Sequence, residues 1–168
     1  MDLELSLATV DDAAAIAALR TAVAQRLTVQ YGKGHWSSAV SEKGVLYNLR
    51  TSRVYVARMA GDKETLVATL SFCTKKPWAI DTKYFSPCKK PLYLTNMAVV
   101  PDLQRAGIGR RFLEQVRRAA EEWPADSIRL DAYDAEAGAG KFYEKCGFRE
   151  VGRVSYRNVP LIYFETIL

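Results

Sequence analysis

Gly107 and Gly109 stand two residues apart in the stretch Gln104-Arg105-Ala106-Gly107-Ile108-Gly109-Arg110-Arg111, between an apolar run and an amphipathic one. A glycine-rich turn that opens a helix is an anion site, because the backbone N–H groups and the helix dipole point at the same place. Glycine has no Cβ, so the backbone there approaches a bulky anion closely. Successive amides from Arg105 to Arg110 are suited to form a concave nest for an anion, and Arg105, Arg110 and Arg111 add positive potential. A second reactive group is Tyr143 in "FYEKCGF". A phenol with a pKa of about 10 is a weak acid.

Two familiar phosphate motifs fail on the residues. A P-loop ends in Gly-Lys-Ser/Thr, whereas Gly109 is followed by Arg110 and Arg111. A dinucleotide fingerprint is favoured by Asp131, which stands about where a ribose-binding acid belongs. It is opposed by Phe112 at the third glycine position and by Pro101–Ala106, which separate the preceding strand from the glycines. The pattern that remains is Q/R-x-x-G-x-G/A.

With its surroundings, "LTNMAVVPDLQRAGIGRRFLEQV", and with "AGKFYEKCGF" further on, that pattern resembles the GCN5-related N-acetyltransferase (GNAT) family. The resemblance implies a turn that holds the pyrophosphate of acetyl-CoA with Gln104, Arg105, Ala106, Gly107, Ile108, Gly109 and Arg110. It implies that Met97, Ala98 and Val99 pair with the pantetheine arm. A backbone N–H of Met97 or Ala98 then serves as oxyanion donor, and Tyr143 near the coenzyme sulfur as general acid. The implied reaction is acetyl transfer from acetyl-CoA to a primary amine, expected on a small molecule, by direct attack in a ternary complex and without a metal. Two other readings stay open: a protein or peptide amine as acceptor, and a non-catalytic acyl-CoA sensor. Dimers are common among such proteins, which leaves a homodimer open here.

The chain departs from the family pattern in two places. Glu136 stands where relatives often carry an asparagine that bonds the pantetheine, and an ionised carboxylate donates no hydrogen bond. Thr95-Asn96 stands where many relatives place a basic carboxylate. Asp81, Asp131, Asp134, Glu136 and His35 are the candidate groups to take a proton, with a chain of waters as the alternative. For the acceptor, the sequence directs attention to "GKGHWSS" and "KKPWAIDTKYF", with His35, Trp36, Trp78, Asp81, Tyr84, Asn96 and Tyr133 as pocket residues and Tyr156 beside them. The connection over 76–90 is too long for a hairpin loop, and is expected to act as an acceptor-side lid.

These residues need elements to hold them. Leu3–Ala8 alternates like a strand. Thr9 or Asp11 caps a helix with Ile16, Leu19, Val23 and Leu27 on one face. Ser37 or Ser38 is expected to cap a second helix carrying Val45, Leu46 and Leu49. Arg53–Met59 and Thr65–Thr74 read as a hairpin. Leu92–Val100 is nearly all apolar and reads as a central strand buried on both faces. A helix with Ile108, Phe112, Val116, Ala119 and Trp123 follows the glycine turn, then a strand at Ser127–Tyr133. A short helix closed by Gly147 and two final strands complete the chain. The order β-α-α-β-β-β-α-β-α-β-β implies an α/β (α+β) fold: one mixed, twisted sheet flanked by helices, with a right-handed crossover into a parallel pair.

The bulk properties agree. The chain has 168 residues with 49% hydrophobic and 26% charged residues, which suits one domain over 1–168. The net charge of +5 suits an anionic cofactor, and no helix-turn-helix or RNA-binding aromatic motif argues for nucleic acid. The acidic start lacks a secretory n-region, and no apolar run is long enough to span a membrane. Cys73, Cys88 and Cys146 show no C-x-x-C pairing, so reduced thiols and a cytoplasmic setting are expected. With His35 as the lone histidine, a zinc site is not expected.

Overall fold

The computed structural model describes residues 2–168. Its element order is the one expected: β1 (Leu3–Leu7), α1 (Ala13–Tyr31), α2 (Glu42–Thr51), β2 (Arg53–Met59), β3 (Leu66–Cys73), β4 (Pro91–Val99), α3 (Ile108–Glu122), β5 (Ser127–Tyr133), α4 (Gly140–Lys145), β6 (Arg149–Tyr156) and β7 (Val159–Ile167). The strands form one seven-stranded mixed sheet in the order β1-β2-β3-β4-β5-β7-β6, flanked by helices. β4 and β5 are the parallel pair, joined over Pro91–Tyr93 against Ser127–Arg129. The β1–β2, β2–β3, β5–β7 and β6–β7 pairs are antiparallel. The chain forms two compact units that alternate along the sequence. One holds the residues up to Phe72 and Thr95–Arg118, the other Cys73–Leu94 and Ala119–Leu168.

In the first unit, Ala13, Ile16, Ala17 and Leu19 make the three-and-four spacing of a helix face. They pack on Val45 of α2, Val54 and Val56 of β2, Leu66 of β3 and Ala98 of β4. A 3₁₀ turn at Val10–Asp12 precedes α1, and Asp12, not Asp11, takes the Thr9 amide at 2.9 Å. The expected cap of α2 is corrected. Ser41 accepts from Gly44 N at 3.1 Å, and α2 starts at Glu42. Ser37 is engaged elsewhere: its Oγ accepts from Gly34 N at 2.9 Å and from Thr28 Oγ1 at 2.7 Å. The reading of β4 is corrected too. Leu92, Tyr93, Leu94 and Ala98 are buried, but Asn96 is exposed with a φ of 56°, so the strand is interrupted rather than buried throughout. Asparagine tolerates that left-handed conformation better than most residues.

The second unit buries charge. Arg129 and Glu165 lie on neighbouring, paired positions of β5 and β7 and are 5% and 1% exposed. Arg129 donates to Ser86 O at 2.9 Å and to Tyr93 Oη at 3.2 Å, with its guanidinium 5.0 Å from the Phe85 ring centre. Glu165 accepts from Ser86 Oγ at 2.5 Å, from Ser86 N at 3.1 Å and from Arg149 Nη2 at 2.8 Å. Buried charge is tolerated only where it is paired and hydrogen-bonded, and here both partners fasten the segment between β3 and β4. Lys89 and Lys90 amides add bonds to Asp126 at 2.9 and 3.0 Å. The connection expected to be a lid is therefore tied down along its length, with a 3₁₀ turn at Thr82–Tyr84 within it.

Burial pushes the Glu165 carboxyl up, but the bonds from Ser86 and Arg149 outweigh it and hold it below its ordinary value. A depressed carboxyl stabilises the fold above its unfolded pKa of about 4.3, and that contribution is lost as pH falls through the folded value. Glu165→Gln should cost about 2 kcal/mol at neutral pH. Its melting temperature should also fall less than the wild type's between about pH 6 and pH 3. Parallel acid melting curves for the two proteins would remove this role from Glu165.

Candidate functional site

The glycine turn belongs to the first unit. A 3₁₀ turn at Pro101–Leu103 leads out of β4, with Leu103 N bonded to Val100 O at 3.0 Å. The chain then reverses through Arg105 at φ 68° and Gly107 at φ 80° and enters α3. An arginine in this region is costly without a Cβ-free alternative, so its placement marks a backbone fixed by its surroundings. Arg111 N bonds Gly107 O at 3.2 Å as α3 begins. The amides of Ile108, Gly109 and Arg110 precede that bond and have no acceptor inside the helix. A Cβ built on Gly107 meets nothing within 4 Å. The turn thus faces open space with three helix-end amides, which is what a diphosphate requires.

Side chains brace this turn. Gln104 Nε2 donates to Val99 O at 3.0 Å, closing the loop on the end of β4. Arg110 pairs with Glu114 at 3.2 Å, and Asp102 receives Arg26 at 3.1 Å. Arg105 and Ala106 are exposed, while Ile108 is buried and seats α3. Met97, Ala98 and Val99 form the end of β4, and the ladder with β5 covers only Pro91, Leu92 and Tyr93. Asn96 Oδ1 accepts from Arg20 Nη2 at 2.8 Å.

Tyr143 lies in the second unit, 6% exposed, on α4. Its ring is 5.2 Å from Phe142, 5.6 Å from Phe148 and 6.2 Å from Phe164. Burial, with smaller contributions from Asp131 and Cys146, pushes the phenol well above its ordinary value. Gly147, at φ 88°, closes α4 as expected, its amide bonded to Glu144 O at 3.0 Å. Burial also raises the Asp131 carboxyl, and burial followed by Asp131 raises Tyr133.

Three of the expected pocket residues come together. Trp78, Asp81 and Tyr84 line an open cleft of ≈ 370 Å³ in the second unit, joined by Tyr156 and by Val154, Ser155 and Tyr163. Tyr163 was not anticipated. Its hydroxyl donates to Ala79 O and accepts from Asp81 N at 3.1 Å. The signal was available in "PLIYFETIL", an apolar strand carrying two hydroxyls and one carboxylate that need partners. His35, Trp36, Asn96 and Tyr133 are not among the lining residues. Trp36 instead folds back locally. Its Nε1 donates to Gly32 O at 3.0 Å and its ring covers Gly34, where a Cβ would sit 2.5 Å from it. Among the described residues, no His, Cys, Asp and Glu groups are placed to hold a metal, and no helix is long and apolar enough to cross a membrane.

Tyr163→Phe should leave the buried ring in place while stranding the Asp81 amide and the Ala79 carbonyl. Amide hydrogen exchange at Asp81 should speed up about fivefold, the equivalent of a net bond of about 1 kcal/mol. Unchanged protection would mean that the hydroxyl does not hold the segment.

Residues 50–150 match the family model described as the acetyltransferase (GNAT) domain. No curated protein matches the chain significantly. Solved structures share the fold over nearly the whole chain. An N-acetyltransferase of Staphylococcus aureus Mu50 is 14% identical, with a TM-score of 0.70 and 99% of each chain covered. The protein yncA of Salmonella typhimurium, solved with its cofactor acetyl-CoA, is 16% identical, with a TM-score of 0.69, over 99% of this chain and 94% of that one. The ribosomal-protein-S18-alanine N-acetyltransferase of Escherichia coli is 19% identical, with a TM-score of 0.69, over 99% and 94%. At such identities the likeness is one of fold.

Proposed function

The chain belongs to the GNAT acetyltransferase family, and on that premise we propose that it moves an acetyl group from acetyl-CoA to a primary amine of a small molecule by direct attack. The observation that carries this reading is the turn at 104–110: two left-handed residues, three helix-end amides and open space at Gly107. Those amides, with Gln104 and Arg105 framing them, suit the coenzyme's diphosphate. When bound, acetyl-CoA supplies an activated acetyl thioester.

The chain's own groups do the rest. The ladder with β5 ends at Tyr93, so the edge of β4 facing β5 is not paired with it at Met97–Val99, which supports pairing of that edge with the pantetheine arm. The Met97 or Ala98 N–H is then the donor to the acetyl oxygen. Transfer forms an N–C bond, breaks the C–S bond, takes one proton from the amine and delivers one to the departing sulfur. Tyr143 is the proposed proton donor. Its raised pKa keeps the phenol protonated through the working range. Asp131 is the proposed acceptor of the amine's proton: it lies on β5, and burial raises its carboxyl, which makes it a stronger base than an exposed aspartate.

Gly107→Val should fold, since nothing lies near the new Cβ, at a backbone cost of about 1–2 kcal/mol. Titration with coenzyme A should show affinity reduced about tenfold or more, because the side chain enters the space facing the amides. Undiminished affinity in a folded variant would refute the turn as the diphosphate site.

A pH profile of kcat/KM tests the two proton carriers together. Tyr143→Phe should lower the plateau about 10²-fold while the KM for acetyl-CoA stays close to the wild type's. Asp131→Asn should remove the acidic limb, which in the wild type lies above the ordinary aspartate value. A normal plateau, or an acidic limb that survives, removes the corresponding role.

A further inference from the structure

The cleft of the second unit combines aromatic rings with polar groups. Trp78, Tyr84 and Tyr156 present aromatic surface, with the buried Tyr163 behind them, and Asp81 supplies its carboxylate. Trp78 is 84% exposed and Tyr84 43% exposed. A tryptophan that open to water is unusual for a side chain whose burial is favourable by a few kcal/mol, and it marks a surface meant to be covered.

The cleft is built rather than accidental. Tyr84 stands edge-on to Tyr163, with ring centres 5.5 Å apart and an angle of 71°. Tyr84 also lies over Gly152, where a Cβ would come within 2.3 Å of the ring, so only glycine at that point of β6 admits it. Asp81 is fixed at both ends. Its amide donates to Tyr163 Oη at 3.1 Å, and its Oδ1 accepts from Lys83 N at 3.1 Å. Its other oxygen, Oδ2, meets only the Lys83 ammonium, at 3.5 Å, and that lysine side chain is 84% exposed. Such a pair is weak and readily exchanged for a better cation.

Two other cations near the cleft are already engaged. Lys76 Nζ is turned onto the carbonyls of Pro77 and Ile80 at 3.0 and 2.7 Å. The Arg157 guanidinium lies 5.2 Å from the Tyr156 ring centre. That second arrangement is a cation already resting on one of the cleft's aromatic rings. Aromatic faces attract cations, most strongly for tryptophan, and a carboxylate with one loose partner adds to that attraction.

We infer that this cleft binds an organic cation carried on an apolar or aromatic frame, held between Trp78 and Tyr84 with its charge toward Asp81. It thereby names the class of amine that the enzyme acetylates, an assignment that rests on the transfer reading above. The ammonium form docks, and the amine reacts after losing its proton.

The test separates docking from transfer. Benzyltrimethylammonium has no N–H and cannot be acetylated, so its binding, followed by calorimetry without coenzyme, reports the cleft alone. It should bind the wild type, while phenylacetate, of like size and opposite charge, should bind far more weakly. Trp78→Ala and Asp81→Asn should each weaken the cation's binding about 5- to 10-fold. Asn keeps an oxygen for the Lys83 amide, so that variant preserves the segment. With benzylamine as acceptor, the same variants should raise its KM and leave the KM for acetyl-CoA unchanged. Equal binding of phenylacetate, no binding of the cation, or variants that bind it normally would each overturn the cleft assignment. Transfer to amines with the variants' KM unaltered would overturn it while leaving acetyl transfer standing. Cation binding without any coenzyme binding would do the reverse.

Discussion

A helix cannot satisfy its own first amides, and the start of α3 leaves three of them beyond the glycine turn. The chain leaves β4 through a 3₁₀ turn, reverses at Arg105 and Gly107, and presents the amides of Ile108, Gly109 and Arg110 before the first helical bond forms at Arg111. Everything proposed about the coenzyme depends on that reversal, since a right-handed backbone at Gly107 would turn the nest away. The side chains nearby serve the backbone. Gln104 clasps Val99 O, and Arg26 holds Asp102, so the turn is braced from β4 and from α1. The arginines add potential to a site whose shape is already set by main-chain groups.

The second unit solves a different problem. Its connection between β3 and β4 has little regular structure of its own, and polar side chains on the sheet fasten it. Arg129 and Glu165 both hold it at Ser86, and Tyr163 holds it at Ala79 and Asp81. Ionic groups buried this way add little net stability when complete and are costly when broken. Their effect is to specify one conformation, and Trp78, Asp81 and Tyr84 keep their mutual geometry because of it. A segment so fastened acts as a wall of the cleft.

Much of this could be read from the residues, and the exceptions have physical causes. The element order followed from hydrophobic periodicity, and the glycine turn from the spacing of Gly107 and Gly109. The cap of α2 was misplaced because Ser37, Ser38 and Ser41 offer the same hydroxyl. Only the structure shows Ser37 Oγ committed to Gly34 and Thr28. β4 read as wholly buried because its composition is apolar, whereas one left-handed residue, Asn96, breaks it. Trp78, Asp81 and Tyr84 lie close in sequence and were found together. Tyr163 escaped because the bond that enlists it spans 82 residues of sequence. Trp36 looked like a pocket residue, yet a tryptophan flanked by Gly32 and Gly34 has a local surface to cover and covers it.

The two sites differ in what they are made of, and this decides how far the family likeness reaches. The turn is main chain, so many sequences can build it provided that Gly107 keeps its conformation and α3 its start. That is compatible with solved structures sharing the fold at 14–19% identity. The cleft is made of side chains on a long connection and on β6, with Gly152 the one position where the backbone itself makes room. Exchanging Trp78 or Asp81 would alter what the cleft attracts without disturbing a single strand pairing. Family membership points to acetyl-CoA, while the acceptor has to be argued from Trp78, Asp81, Tyr84 and Tyr156. In this chain those residues are aromatic faces around one carboxylate, a surface that favours positive charge.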